Sequence, residues 1–351
     1  MRIIIYMLLA LLFNTSCSSQ ENRGYEPELP EDKKYFTNPI KADGADPWMI
    51  RHDGKYYLSE SSGNAKINVI TSPTITDMGS GVSVCVWESP VDGMAGAKYN
   101  LWGPHLNYVK GSWYIYYCAQ STADSEFTSQ RMWALKSTTA SPLGPYEDMG
   151  EVIDSNDKEW AIDGSIIERG NGDLYFVWSG IPDLNTLHQH TYIAKMLNPT
   201  RIDRSTIVKI SSPTETWETS VRPIQEGQRP LIIDKNGKTI IMFSANGSWS
   251  DEYCLGSLTN TDGNYLNPSS WTKSVQPVFK KTNNIFGPGG ASYVKSPDGT
   301  QDWIVYHSAK RKGSGWDRSV HTQKFTWDAN GDPVFGEPAT NGVKLEKPSG
   351  E

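Results

Sequence analysis

Three carboxylates in this chain of 351 residues stand at similar points of a repeated sequence pattern: Asp46, Asp163 and Glu226. Each comes just before a segment rich in aromatic and β-branched residues, where a β-strand would begin. Carboxylates placed one per module can converge when the modules are arranged radially. Two or three converging carboxylates can supply the acid and the base that hydrolysis of a glycosidic bond requires.

The modules that carry these acids are short apolar strands joined by turns that end in glycine. An aromatic run follows each turn, and no long stretch after the N-terminal region has sustained helical periodicity. Five such units with a period of about 60 residues predict an all-β, five-bladed β-propeller in a single domain. The turn glycines are Gly54, Gly111, Gly172, Gly237 and Gly299.

A propeller would bring the three acids to one place, because the innermost strand of each blade runs along the central axis. Asp46, Asp163 and Glu226 precede their turn glycines by 8, 9 and 11 residues. Equivalent positions in blades 1, 3 and 4 would place them around one axial cavity. Any one of them alone could simply cap a turn. Three at matched positions favour a shared site.

The N-terminal sequence predicts export. An apolar run from Ile3 to Phe13 is too short to span a membrane and is typical of a signal peptide over residues 1–16. Small residues lead into Cys17, as in a bacterial lipoprotein box, and residues 17–34 form a polar tether. We expect an exported lipoprotein at the periplasmic or cell surface that contacts the membrane only through a lipid anchor. An ordinary secretory signal is the alternative.

Net charge and composition restrict the classes of molecule that this protein is expected to bind. The net charge of −7 argues against binding of a nucleic acid, which is a polyanion. Abundant aromatic residues are compatible with neutral sugar ligands. Besides Cys17 there are three cysteines, an odd number without metal-ligand spacing, and they are expected to be buried free thiols: Cys85, Cys118 and Cys254.

Five ordered motifs over about residues 36–338 resemble glycoside hydrolase family 43. They are ADPW at 45–48, LWGPHL at 101–106, IDGS at 162–165, EG at 226–227 and GPG at 287–289. The resemblance implies a five-bladed propeller over residues 35–340, followed by a tail at 341–351. It also implies hydrolysis of arabinose- or xylose-containing polysaccharides with inversion at the anomeric carbon.

The resemblance assigns a role to each acid. Asp46 would be the general base, Glu226 the general acid, and Asp163 the residue that orients the acid and raises its pKa. The chemistry explains the number, because a base must stay ionised while an acid keeps its proton near neutral pH. A third carboxylate beside Glu226 would disfavour ionisation of the acid by repulsion between like charges.

Three further residues are implied by the resemblance. Trp102 and Arg318 would contact the substrate, although a blade-core tryptophan and a surface arginine are the alternatives. His307 would lie near an axial cation such as structural Ca²⁺, with a hydrogen-bonded core histidine as the alternative. The chemistry itself would need no cofactor. The chain departs from the family pattern at His105 and Gln228.

The expected activity is that of an exo-α-L-arabinofuranosidase acting on arabinan or arabinoxylan. β-Xylosidase and endo-arabinanase are alternatives within the family. A retaining fructan-cleaving propeller is disfavoured because its signature motifs are absent from the sequence. A lipid-anchored propeller that binds glycans without cleaving them belongs to a different functional class, and retention of all three acids argues against it.

Overall fold

The computed structural model describes residues 34–63, 65–90, 96, 98–123, 127–153 and 160–351. The expected signal peptide, Cys17 and the tether up to residue 33 lie outside the described residues. Within the described ranges no helix is both long and apolar enough to cross a membrane.

Five antiparallel sheets follow one another along the chain, and in each the first four strands pair in chain order. The described residues include a single short α-helix, α1 (Thr216–Thr219). The strands are β1 (Tyr35–Thr37), β2 (Trp48–His52), β3 (Lys55–Ser62), β4 (Lys66–Ser72), β5 (Val82–Glu88), β6 (Tyr99–Val109), β7 (Ser112–Gln120), β8 (Gln130–Ser137), β9 (Tyr146–Glu151), β10 (Trp160–Glu168), β11 (Leu174–Ile181), β12 (His190–Asn198), β13 (Arg201–Ile202), β14 (Val208–Ser211), β15 (Gln225–Lys235), β16 (Lys238–Ala245), β17 (Cys254–Asn260), β18 (Trp271–Lys273), β19 (Phe286–Lys295), β20 (Asp302–Ala309), β21 (Arg318–Trp327), β22 (Pro333–Val334) and β23 (Lys344–Glu346).

These sheets are the blades of a five-bladed β-propeller, as the repeat predicts. Blade 1 is β2–β5, blade 2 is β6–β9, blade 3 is β10–β14, blade 4 is β15–β18 and blade 5 is β19–β22. Blade 3 has one strand more than the others, because both β13 and β14 pair with β12.

The predicted turn glycines connect the first and second strands of every blade. Their φ angles lie between +74° and +86°, a region that glycine enters without steric cost. In three of these turns the preceding residue also has positive φ: Asp53, Lys110 and Asn236. Two central residues with positive φ match the twist of the flanking strands, which is why such turns form tight hairpins.

The core is divided into five hydrophobic clusters, one between each pair of neighbouring blades. The second strand of a blade is buried on both faces, and β11 (Leu174–Ile181) is buried at every residue. The sequence of a strand covered on both faces is a continuous apolar run rather than an alternation of apolar and polar residues. One cluster joins blade 5 to blade 1, with Trp303 and Val305 packed near Met49 and Leu58, and closes the ring.

The two ends of the described chain also meet. Strand β1 pairs with β23, so that Tyr35 lies opposite Glu346. The side chain of Asn38 donates to the carbonyl oxygen of Thr322 at 2.8 Å and accepts from its N–H at 2.9 Å. Residues of the expected C-terminal tail therefore pack against the strand that precedes blade 1.

The cysteine prediction holds for two of three residues. Cys118 and Cys254 are buried free thiols, whereas Cys85 is a free thiol exposed to solvent. The prediction for Cys85 is wrong because β5 (Val82–Glu88) is the outermost strand of its blade and has only one covered edge.

Candidate active site

The innermost strands carry a β-bulge at the same point in blades 2 to 5. Two consecutive residues there oppose a single residue of the second strand, and the first of the two has φ between +49° and +62°. Asp46, with φ of +45°, holds the matching place two residues before the paired part of blade 1. The bulged pairs are 103–104, 163–164, 227–228 and 290–291.

The first residues of the four bulges and Asp46 face one another around the axis, and of these five positions only Asp46 and Asp163 carry a side chain. A Cβ atom at Gly103 would lie 3.0 Å from Oδ1 of Asp163. A Cβ atom at Gly290 would lie 2.9 Å from Oδ1 of Asp46. Glycine at these positions therefore leaves the space in which the two carboxylates stand.

Glu226 does not occupy the equivalent position, because the bulge residue of blade 4 is Gly227. The expectation that all three acids share one structural position holds for Asp46 and Asp163 and is wrong for Glu226 by one residue. The side chain of Glu226 nevertheless belongs to the same cluster. The N–H of Gly227 donates to Oδ2 of Asp163 at 2.9 Å, and Glu226 is 8% exposed.

Asp46 is surrounded by groups that favour its ionised form. Its Oδ1 lies 3.5 Å from Nη1 of Arg318 and 3.4 Å from Nδ1 of His307. Burial opposes the negative charge, but the Arg318 guanidinium, with a smaller contribution from Arg229, holds the pKa of Asp46 below its usual value. The side chain is 32% exposed. An ionised carboxylate that is open to water suits a general base.

Glu226 and Asp163 are shifted in the opposite direction. Burial, and next the charge of Asp163, raise the pKa of Glu226 to about 8. Burial also raises the pKa of Asp163 to about 6; the charge of Asp46 adds to this rise, and the Arg229 guanidinium opposes it. Glu226 is therefore protonated at neutral pH, as a general acid must be.

Tyr253 fixes the position of the acid. Its hydroxyl donates to Oε1 of Glu226 at 3.0 Å, and its ring stacks on that of His307 with 5.5 Å between centroids and 4° between planes. A hydrogen bond to the carboxylate favours the ionised form and so opposes the rise in the pKa of Glu226. Tyr253 thus links the acid to the histidine beside the base.

Arg229 is a buried cation in the same cluster. Its guanidinium lies 4.9 Å from the centre of the Trp48 ring, and Nη1 donates to the carbonyl oxygen of Gln228 at 3.1 Å. Burial lowers the pKa of Arg229, while the charges of Asp163 and Asp46 raise it. The arginine offsets the charge of the two aspartates. His105, stacked on Trp48 at 4.2 Å, completes this layer.

Neither Arg229 nor Tyr253 is predicted as a site residue from the sequence. Arg229 had a usable signal, since it holds the place in its blade that Trp48 and His105 hold in theirs, two residues after the position with positive φ. Tyr253 lies in the loop between β16 and β17, 27 residues after Glu226, where no local pattern marks it.

His307 is buried, with the N–H of Asp46 at one ring nitrogen and the Arg318 guanidinium near the other. Nδ1 accepts from the N–H of Asp46 at 3.0 Å, and Nε2 lies 3.4 Å from Nη1 of Arg318. Burial lowers the pKa of His307 to about 3, so the ring is neutral. No group of three His, Cys, Asp or Glu residues in the described part of the chain could hold a metal ion. These contacts do not fit a cation bound directly by His307, and a structural cation near the axis stays a prediction.

The two expected substrate contacts differ in placement. Arg318 lies in the site, next to Asp46 and His307. Trp102 precedes the bulge residue Gly103 and is half-buried, with its ring 5.1 Å from that of Phe127. A contact between Trp102 and a substrate stays a prediction.

Known proteins share this architecture. The Lactobacillus brevis α-L-arabinofuranosidase crystal structure superposes with a TM-score of 0.80 at 28% identity, covering 88% of this chain and 98% of that one. An extracellular exo-alpha-(1->5)-L-arabinofuranosidase of Streptomyces avermitilis is 33% identical over 320 residues, which are 88% of this chain and 64% of that protein. Alpha-L-arabinofuranosidase 43 of Humicola insolens is 30% identical with the same coverage.

The chain thus spans just under two thirds of the length of these two curated relatives. The model of the family described as "Glycosyl hydrolases family 43" matches residues 36–333, which include all five blades up to the start of the last strand of blade 5. With its five-bladed fold and its cluster of axial carboxylates, the chain belongs to glycosyl hydrolase family 43.

Proposed function

We propose that this protein is an inverting glycoside hydrolase that releases terminal α-L-arabinofuranosyl residues from arabinan or arabinoxylan. The observation that carries the proposal is the opposite perturbation of two carboxylates in one cluster. Arg318 keeps Asp46 ionised, while burial and Asp163 keep Glu226 protonated. A base and an acid available at the same pH are the pair that this hydrolysis needs.

In the proposed reaction Asp46 accepts a proton from a water molecule as the water oxygen attacks the anomeric carbon. The bond from that carbon to the leaving oxygen breaks, and Glu226 donates its proton to the leaving oxygen. One water is consumed and the configuration is inverted. Inverting enzymes hold the two carboxyl groups roughly 6.5–9.5 Å apart to admit the water. Asp46 and Glu226 come from blades 1 and 4, which are not neighbours in the ring.

The remaining site residues assist these two. Asp163 holds the proton on Glu226, and Tyr253 orients the carboxyl group through Oε1. After the reaction Asp46 is protonated and Glu226 is ionised. Both return to their starting states by exchange with solvent, because their pKa values lie on opposite sides of neutrality.

We propose arabinofuranose as the sugar because relatives with 33% and 30% identity and a solved structure with 28% identity are named as arabinofuranosidases. β-Xylosidase and endo-arabinanase activity would use the same acids and differ in the loops around them. A propeller that only binds glycans would have no use for an ionised base together with a protonated acid.

Export is part of the proposal. The Streptomyces avermitilis relative is named extracellular. We expect a lipid on Cys17, so that the full-length protein partitions into the detergent phase of Triton X-114 and a Cys17→Ser variant stays in the aqueous phase. If both proteins stay in the aqueous phase, the explanation is an ordinary secretory signal.

The test of the activity uses purified protein with methyl and 4-nitrophenyl α-L-arabinofuranosides, 4-nitrophenyl β-D-xyloside, linear arabino-oligosaccharides, arabinan and arabinoxylan. We expect release of arabinose, with the β anomer appearing first by proton NMR. Glu226→Gln should abolish release from the natural substrates. Absence of release from every substrate would refute the proposal, and full activity of Glu226→Gln would refute the role of the acid.

A further inference from the structure

Two exposed tryptophans stand on the catalytic end of the propeller, and none of the chemistry described so far uses them. Trp249 is 38% exposed and Trp316 is 62% exposed. Their rings are in edge-to-face contact, with 5.9 Å between centroids and 76° between planes. Single exposed apolar residues need no explanation, but two indoles in contact across two blades form a patch.

The two loops that carry these tryptophans lead directly to the catalytic residues. Trp249 lies in the loop between β16 and β17, which ends at Tyr253, the partner of Glu226. Trp316 lies in the loop between β20 and β21, and Arg318, beside Asp46, follows it by two residues. The tryptophan pair therefore lies at the rim on the side where both the acid and the base are anchored.

The pair is held in place by hydrogen bonds between the loops. Nε1 of Trp316 donates to Oγ of Ser248 at 3.1 Å, and the N–H of Gly313 donates to Oδ1 of Asp251 at 2.9 Å. The Trp249 ring lies over Gly247, where a Cβ atom would come within 2.6 Å of it. Rings fixed in this way lose little conformational entropy when a ligand binds.

We propose that Trp249 and Trp316 form an aromatic platform that binds the sugar units on the leaving-group side of the cleaved bond. The proposal rests on the proposed exo-acting function, since a chain cleaved at its terminal sugar must leave the pocket over the rim. The apolar C–H face of a sugar packs against an indole ring while its hydroxyl groups stay in water. The ligand class is a neutral oligosaccharide of two or more units.

The test compares chain lengths. Methyl α-L-arabinofuranoside has a leaving group too small to reach the rim, whereas arabinohexaose extends across it. In a Trp249→Ala/Trp316→Ala variant we expect KM for arabinohexaose to rise about tenfold. The value of kcat/KM for the methyl glycoside should change less than twofold. Tyr108→Ala is the matched control, because Tyr108 is an exposed aromatic residue beside the hairpin turn at the far end of blade 2.

A binding measurement makes the test independent of catalysis. With Glu226→Gln as the background, arabinohexaose should quench tryptophan fluorescence, and the quenching should be lost in the platform variant. Circular dichroism and Tm of each variant establish that the fold is intact.

Several results would contradict the proposal that Trp249 and Trp316 bind the leaving-group sugars. One is an equal loss on the methyl glycoside and the hexasaccharide, which points to a structural role. Another is an unchanged dependence on chain length. A dimer in sedimentation that disappears in the variant, with oligosaccharide kinetics unaltered, would make the patch a contact between copies of the chain. No hydrolysis of any substrate would instead refute the proposed function.

Discussion

The backbone N–H of Gly227 donates a 2.9 Å hydrogen bond to Oδ2 of Asp163. Asp163 is thereby tied to the residue that follows the acid, so its charge acts on Glu226 at a fixed separation. Repulsion from Asp163 is the second largest cause, after burial, of the raised pKa of Glu226. The pH dependence of activity can therefore be dissected residue by residue.

Asp163→Asn should move the alkaline limb of the activity profile to lower pH. Without the negative charge Glu226 loses its proton more easily, so the acid form disappears earlier as pH rises. Burial still holds the pKa of Glu226 above its usual value. Above that limb we also expect kcat to fall roughly 10²-fold or more, since an ionised Glu226 cannot act as a general acid.

The measurement is kcat/KM for arabinotriose across pH. Asp173→Asn, at a partly exposed aspartate on the same blade paired with Lys195, should leave the profile unchanged. An alkaline limb that stays in place in Asp163→Asn would contradict the assigned role.

Tyr253→Phe should move the same limb in the opposite direction. The tyrosine hydroxyl stabilises the ionised carboxylate of Glu226, so its removal raises the pKa of the acid further. The protonated form then persists to higher pH. A kcat/KM profile whose alkaline limb moves down, or not at all, would show that the 3.0 Å bond does not act on the acid.

Arg318→Met should move the acidic limb to higher pH. Arg318 is the largest of the influences that lower the pKa of Asp46, so its loss lets the base take up a proton at a higher pH. Arg318→Lys keeps the positive charge and should shift the limb less. Profiles of kcat/KM for the two variants check this, and equal shifts would assign the effect to lost packing rather than to charge.

Gly290→Ala should impair catalysis as well as stability. The position has φ of +55°, and the new Cβ would lie 2.7 Å from the His307 ring and 2.9 Å from Oδ1 of Asp46. Gly54→Ala is a matched control, with φ of +74° and nothing within 4 Å. Both variants should lose about 1–2 kcal/mol of unfolding free energy from the backbone alone.

Only Gly290→Ala should lose a larger amount of unfolding free energy together with most of its kcat/KM. Urea denaturation and steady-state kinetics on the two proteins separate the contributions. Equal loss of stability and unchanged kinetics in both would mean that the axial space is not needed.

The fold could be predicted from the sequence because the turns that separate its strands are marked by local residue patterns. Five Gly-containing turns at regular spacing determine five hairpins, and these determine the blades. The positions of Asp46 and Asp163 were also predictable, because aspartate and glycine tolerate the positive φ that each bulge requires. The four bulge positions and the matching position of blade 1 all carry one of these two residue types.

Glu226 shows the limit of predicting a position by counting residues from the turn. The inner strand of blade 4 differs in length from those of blades 1 and 3. A count of residues back from the turn glycine therefore places Glu226 at the bulge position, whereas Glu226 lies one residue before it. The contact between Tyr253 and Glu226 depends on how a loop of blade 4 folds over its own inner strand, and no sequence periodicity encodes that. Arg318 was placed only through the resemblance to the family.

The sharing of every hydrophobic cluster between two neighbouring blades has a consequence for heat inactivation. A blade that detaches exposes apolar surface on both of its neighbours as well as its own, so the loss of one blade weakens the next two. Melting of the ring is therefore concerted. Because the acids come from blades 1, 3 and 4, a molecule that has lost any of these three blades has also lost an acid, and concerted melting of the ring removes activity together with the fold.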